Sequence, residues 1–175
     1  MSKEQVGAFR PLNIAVLTIS DTRVDETDTS GKYLAERVLG VGHCLAEKML
    51  VKDNIYDIRA VVSRWIADPS VNAVIATGGT GLTGRDVTVE GITPLFDKVI
   101  EGFGEIFRSI SFGEIDTSTI QSRAIAGVAN ATVIFCVPGS TGACKTAWEN
   151  IISFQLDSTT SPCNLVELMP RYNEK

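Results

Sequence analysis

The sequence predicts an α/β protein: a single-domain, open and mainly parallel sheet with helices on both faces. Three observations predict it. Short β-branched apolar runs alternate with segments whose apolar residues recur every three or four positions, the pattern of strand, helix, strand units. The chain has 175 residues, 44% of them hydrophobic, enough for one substantial core and too few to suggest two. Several apolar runs end abruptly in loops of glycine, hydroxyls and carboxylates, where an open parallel sheet gathers its ligands.

Taken in order, residues 1–10 are polar and are expected to form a mobile N-terminal segment, followed by a domain over 11–157 and a C-terminal extension over 158–175. Residues 12–20 (LNIAVLTIS) are the first strand, bounded by Pro11 and Asp21. Residues 21–29 are acidic and nearly free of large apolar groups, so Asp25, Glu26 and Asp28 read as ordinary members of a solvated loop. A helix over 30–39 carries Leu34 and Val38 and ends at Gly40 and Gly42. A second strand runs over 43–51, with the lone His43 at its start read as a surface residue.

Ile55, Ile58, Val61, Val62, Trp65 and Ile66 keep helical spacing, so 54–68 is an amphipathic helix stopped by Pro69, with Trp65 in the core. A buried strand follows over 71–76. Thr88 can cap a short turn, and Thr93 with Pro94 opens another helical piece. Phe103, Ile106, Phe107 and Ile110 line one face of the next helix, and a further helix is expected from Asp116 or Thr117 to Gly127. Residues 132–137 (TVIFCV) form a buried strand containing Cys136, and 142–156 the helix after it. The final segment is expected to lie across the domain or onto a neighbour.

Charge and composition exclude several functions. The net charge is −5 and the Lys and Arg residues are scattered, which argues against an extended nucleic-acid surface. No apolar run approaches the roughly 20 residues of a membrane helix, and the first residues lack a signal-peptide core. Cys44, Cys136, Cys144 and Cys163 form no Cys-x-x-Cys pair, so reduced thiols in the cytoplasm are the expectation.

The chemistry concentrates after the strand over 71–76. Thr77, Gly78, Gly79, Thr80 and Gly81 form a phosphate-sized loop whose glycines let successive N–H groups converge on an anion. Arg85 and Asp86 add a cation and an anion. The spacing of Gly78, Gly79, Gly81 and Gly84 does not fit a dinucleotide fingerprint, and Cys144 breaks the nearest approach to a Walker loop, over 139–146. Asp53 precedes a helix, yet Asn54 with Asp57 supplies the cap, which leaves Asp53 free to point into a crevice. Arg85 reads equally as a phosphate contact or as a surface ion-pair partner.

The runs over 77–81 and 84–88 (GRDVT) strongly resemble the signature of the MoaB/MogA family of molybdenum cofactor biosynthesis proteins. So do Ile19, Ser20 and Asp21 after the first strand, the Gly-Phe-Gly-Glu segment over 102–105, and the loop of Pro138, Gly139 and Ser140. The resemblance covers roughly residues 12–156. It implies the MoaB/MogA fold and, from the better characterised members, Mg²⁺-dependent adenylylation of molybdopterin by ATP with release of pyrophosphate. It also implies homotrimers, paired into hexamers in MoaB-like members. Asp53 and Asp86 match the family's acidic pair and are the catalytic and Mg²⁺-holding candidates. Ser20, Asp21, Thr77 to Gly81, Arg85, Thr88, Pro138, Gly139 and Ser140 are the candidates for binding the pterin, the adenine nucleotide or their phosphates. Val89 and Gly91 depart from the family's usual Thr-Pro-Glu-Ala helix start, and Thr141 stands where proline is frequent. A paralogue that binds molybdopterin or nucleotide without turnover is the alternative; a nicotinamide-dependent dehydrogenase is disfavoured by the glycine spacing.

Overall fold

A computed structural model describes residues 8–174. Six strands form one sheet in the order β2-β1-β3-β6-β5-β4: β1 (Asn13–Ile19), β2 (Cys44–Val51), β3 (Ala73–Thr77), β4 (Lys98–Val99), β5 (Ile125–Ala129) and β6 (Thr132–Val137). Strands β2, β1, β3 and β6 are parallel, while β5 runs antiparallel to β6 and β4 antiparallel to β5. The expected open, mainly parallel sheet is present, with an antiparallel edge beyond it.

Alternation along the strands divides the interior into two cores. Ala15, Leu17 and Ile19 face one side with Val74 and Ile134, covered by Ile58, Val62 and Trp65 of α2 (Ile55–Ala67) and Ile92 of α3 (Thr88–Ile92). Ile14 and Val16 face the other side with Ile75 and Phe135. There α1 (Thr29–Gly40), α4 (Glu101–Ile115) and the helix after β6 pack through Leu34, Phe103, Phe107 and Trp148. Helices therefore lie on both faces. The helix after β6 starts as α5 (Thr141–Ala147), passes through a π turn (Trp148–Ile152) and ends as α6 (Ser153–Gln155).

Several expectations are corrected. Where a helix was expected to reach Gly127, the chain makes a 3-10 segment (Asp116–Gln121) and then β5. The ring of Phe96 lies against Gly127, 2.4 Å from where a Cβ would sit, so this strand needs a residue without a side chain at its centre. Asn130 and Ala131 both adopt positive φ, 44° and 67°, and close the two-residue link to β6. His43 is buried rather than exposed: its Nδ1 accepts the Leu12 N–H at 3.2 Å, and burial holds its pKa below the ordinary histidine value. Ile106 points to solvent, because the buried face of α4 passes through Phe103, Phe107 and Ser111.

Asp28 is not a solvated loop residue. It caps α1 by accepting the Gly31 N–H at 2.9 Å, accepts the Thr18 hydroxyl at 2.8 Å, and pairs with Lys48 of β2 at 2.9 Å. Thr88 is the first residue of α3 rather than its cap.

The C-terminal extension lies across the domain. Val166 of α7 (Leu165–Leu168) is buried in the same core as the apolar faces of α1 and α4, with Leu165, Met169 and Tyr172 packed against it. Of the proposed N-terminal segment, residues 1–7 lie outside the described residues. Residues 8–10 are tied to the extension: the Arg10 N–H donates to Ser158 Oγ at 2.9 Å and its guanidinium to the Val166 carbonyl at 2.8 Å.

Candidate active site

The loops after β1, β2, β3 and β6 open at one end of the sheet, as parallel pairing requires. Between them lies a crevice of about 560 Å³. Of the residues expected from sequence, Ser20, Asp53, Thr77, Gly78, Gly79, Thr80, Gly81, Asp86, Pro138, Gly139 and Ser140 line it; Asp21, Arg85 and Thr88 do not. A further wall that no motif announced comes from Phe107, Ser111 and Ile115 of α4, then Ser118, Gln121 and Ser122. Arg23, also absent from the expected set, lines the crevice too and donates to Ser30 Oγ at 2.7 Å.

The glycine loop is built with its carbonyls turned outward. Gly78 adopts a φ of +105°, with Ile19 O only 2.1 Å from where a Cβ would stand, and Gly79 adopts +61°. Thr88 sits behind the loop: its hydroxyl donates to the Gly78 carbonyl at 2.8 Å and its N–H to the Gly79 carbonyl at 3.0 Å. The next two carbonyls, Thr80 and Gly81, accept from Arg123 Nε at 3.2 and 2.8 Å. In a trans peptide the N–H points opposite to the C=O, so the following amides face away from Thr88 and Arg123. Among the described residues, the N–H groups of Gly79 and Thr80, both lining the crevice, meet no backbone acceptor, which leaves them for an anion, while the Gly81 N–H is turned to the Asp86 carboxylate.

Two carboxylates flank this row. A Cβ on Gly79 would lie 2.7 Å from Asp53 Oδ1, and one on Gly81 would lie 2.8 Å from Asp86 Oδ2. Asn54 accepts the N–H groups of Tyr56 and Asp57 as the cap of α2, so Asp53 is left unused by the helix, as its spacing implied. Burial raises the Asp53 pKa above the usual carboxylate value, and the neighbouring Asp21 and Asp86 charges add to the effect. Asp86 is held below it, chiefly by Thr83, whose hydroxyl and N–H donate to Oδ2 at 2.6 and 2.8 Å. Asp21 accepts the Asp53 N–H at 3.3 Å and pairs with the Arg85 guanidinium, so that ion pair forms a strut beside the crevice.

The sequence profile described as "probable molybdopterin binding domain" matches residues 15–158. The chain belongs to the MoaB/MogA family. It is 58% identical over 156 residues to molybdenum cofactor biosynthesis protein B of Escherichia coli K12, covering 89% of this chain and 92% of the relative. The Bacillus subtilis protein of the same name is 47% identical, with coverage of 78% and 81%. Among solved structures, a molybdenum cofactor biosynthesis protein B superposes with a TM-score of 0.80 at 42% identity, covering 83% and 91% of the two chains. The tungsten cofactor synthesizing protein MoaB from Pyrococcus furiosus gives 0.74 at 34%, covering 83% and 93%. Molybdenum cofactor biosynthesis is thus the business of this MoaB/MogA chain, and residues of its motifs line the crevice.

The donor set is compatible with Mg²⁺. Asp53 and Asp86 present two carboxylates beside an anion cradle, and the Asp53 carboxylate is raised by burial rather than committed to a side-chain donor. No cluster of three or more His, Cys, Asp or Glu side chains suited to a metal is present among the described residues.

Proposed function

We propose that this chain catalyses Mg²⁺-dependent adenylylation of molybdopterin by ATP. The observation that carries the reading is one crevice in which two carboxylates of opposite pKa shift flank a row of free loop amides. In the reaction an oxygen of the molybdopterin phosphate attacks the α-phosphorus of ATP. The bond from that phosphorus to the bridging oxygen breaks, and pyrophosphate leaves with the electron pair. Asp53 and Asp86 would hold Mg²⁺, which when bound would supply neutralisation of phosphate charge. The amides of Gly79 and Thr80 hold phosphate oxygens in place. Ser20 and Ser140 add hydroxyls to the crevice, and Phe107 and Ile115 offer apolar surface to a ring. On this reading the protein works in the cytoplasm, where its ATP is supplied.

Purified protein incubated with molybdopterin, ATP and Mg²⁺ is expected to yield adenylyl-molybdopterin and pyrophosphate, resolved by chromatography. Binding without product at high protein concentration replaces this reading with that of a non-catalytic molybdopterin- or nucleotide-binding paralogue. The commitment of Asp86 Oδ2 to Thr83 is the one observation that favours that second reading.

The chain also assembles, on this reading, as a homotrimer or homohexamer. Exposed apolar side chains on α4 support it: Ile106 and Phe112 are each more than half exposed, apolar surface that a monomer leaves in water. Light scattering is expected to give a mass three or six times that of the 18.8 kDa chain, and a monomer refutes it.

A further inference from the structure

Arg123 belongs to none of the motifs over 77–88 or 138–140. It follows the 3-10 segment Asp116–Gln121 and precedes β5, 42 positions beyond Gly81. Its guanidinium gathers four partners: Nε reaches the Thr80 and Gly81 carbonyls, one terminal nitrogen reaches the Asp86 carbonyl at 3.1 Å, and the other pairs with the Glu90 carboxylate of α3. Arg123 does not itself line the crevice, whereas its neighbour Ser122 does.

We propose that Arg123, fastened by Glu90, is the positioning residue that keeps the second half of the glycine loop everted as an anion cradle. The inference rests on reading that loop as a phosphate site. Thr88 turns out the carbonyls of Gly78 and Gly79; the loop's next two carbonyls have no backbone donor among the described residues and depend on Arg123. A planar guanidinium presents several N–H donors in a fixed fork and can serve Thr80, Gly81, Asp86 and Glu90 at once. A lysine ammonium keeps the charge and lacks that geometry. Because the Asp86 carbonyl is among its acceptors, the same side chain also sets where the Asp86 carboxylate stands relative to the loop amides. The Asp86 backbone is further fixed by its N–H to the Thr83 carbonyl at 3.0 Å, so the guanidinium and this turn hold the residue from two sides. The geometry of the site is therefore held from behind, by a residue outside the crevice lining.

The test uses inorganic pyrophosphate with Mg²⁺ as probe, titrated calorimetrically into the full chain and into Arg123→Lys, Arg123→Ala and Glu90→Gln. Both Arg123 variants are expected to bind it about tenfold more weakly or worse, and Glu90→Gln to fall between them and the unaltered chain. Hydrogen exchange is expected to quicken at the bonded amides of Thr83, Asp86 and Thr88 in the Arg123 variants while β1 and β6 exchange as before. Should Arg123→Ala fail to fold, Arg123→Lys carries both measurements. Undiminished pyrophosphate affinity in the Arg123 variants overturns the proposal, as does acceleration spread evenly through β1 and β6, which marks a general loss of stability. Failure of the unaltered chain to bind pyrophosphate overturns it too. Pyrophosphate binding with no adenylylated product sinks the reaction proposed above and leaves the role of Arg123 standing.

Discussion

Asp53→Asn is expected to lower adenylylation by about 10²–10³-fold, the usual cost of removing one preorganised charge from a phosphoryl-transfer site. The substitution keeps the shape of the side chain and removes the oxygen anion that faces Gly79. Its effect on folding is expected to have the opposite sign. The folded-state pKa of Asp53 is raised, so between its ordinary value of 3.8 and that raised value the native chain binds more protons than the unfolded one. Its ionisation therefore subtracts stability, a penalty absent below the ordinary value and complete once pH passes the raised one. Asp53→Asn removes that penalty and is expected to melt at or above the temperature of the unaltered chain at pH 7, a trade of activity for stability. Turnover rates and calorimetric melting on the same preparation check both halves. A variant that turns over at the original rate removes Asp53 from the chemistry.

Asp28→Ala is expected to cost about 3–5 kcal/mol in denaturant unfolding, the range for stripping one partner from a buried ion pair. The side chain is fully buried, and its removal leaves the Gly31 N–H and the Thr18 hydroxyl without their acceptor and Lys48 with only the exposed Asp25 carboxylate as partner. The Lys48 side chain is 22% exposed and can recover some hydration, which favours the lower end of that range. Burial alone would raise the Asp28 pKa, but the hydrogen bonds from Lys48, Gly31 and Thr18 outweigh it and hold the carboxyl below 3.8. The stability it contributes is therefore complete above pH 3.8 and lost as pH falls through the lower native value. Asp28→Ala is expected to lack this share of the acid dependence.

The parallel half of the sheet was legible because each of its strands is a contiguous apolar run and each intervening helix keeps an apolar stripe. That holds for β1, β3 and β6 and for the helix from Ile55 to Ala67. The antiparallel edge was not. β4 spans only two residues, and β5 owes its strand to the Phe96 ring resting on Gly127 and to a hairpin link of Asn130 and Ala131 without the usual glycine. Asp28 and His43 were misjudged for a related reason: each is buried by partners distant in sequence, Lys48 in one case and the Leu12 amide in the other. The glycine loop, Asp53 and Asp86 could be read because local chemistry marks them. Arg123 and the wall of Ser111, Ser118, Gln121 and Ser122 could not, since an isolated arginine or serine acquires meaning only from the fold that brings it to the loop.

The strand order has a consequence for how the chain reaches its final form. β6 is the last of the six strands to be synthesised, yet it sits in the interior of the sheet between β3 and β5. A nascent chain that stops short of Thr132 holds two half-sheets with unpaired margins and no seam to join them. Insertion of β6 closes the seam and carries Pro138 to Ser140 to the crevice in the same event. Such late, long-range pairing slows folding and prolongs the life of open sheet margins. It also means that the crevice comes into being only with the complete domain, so a bound substrate stabilises the finished chain and none of its precursors.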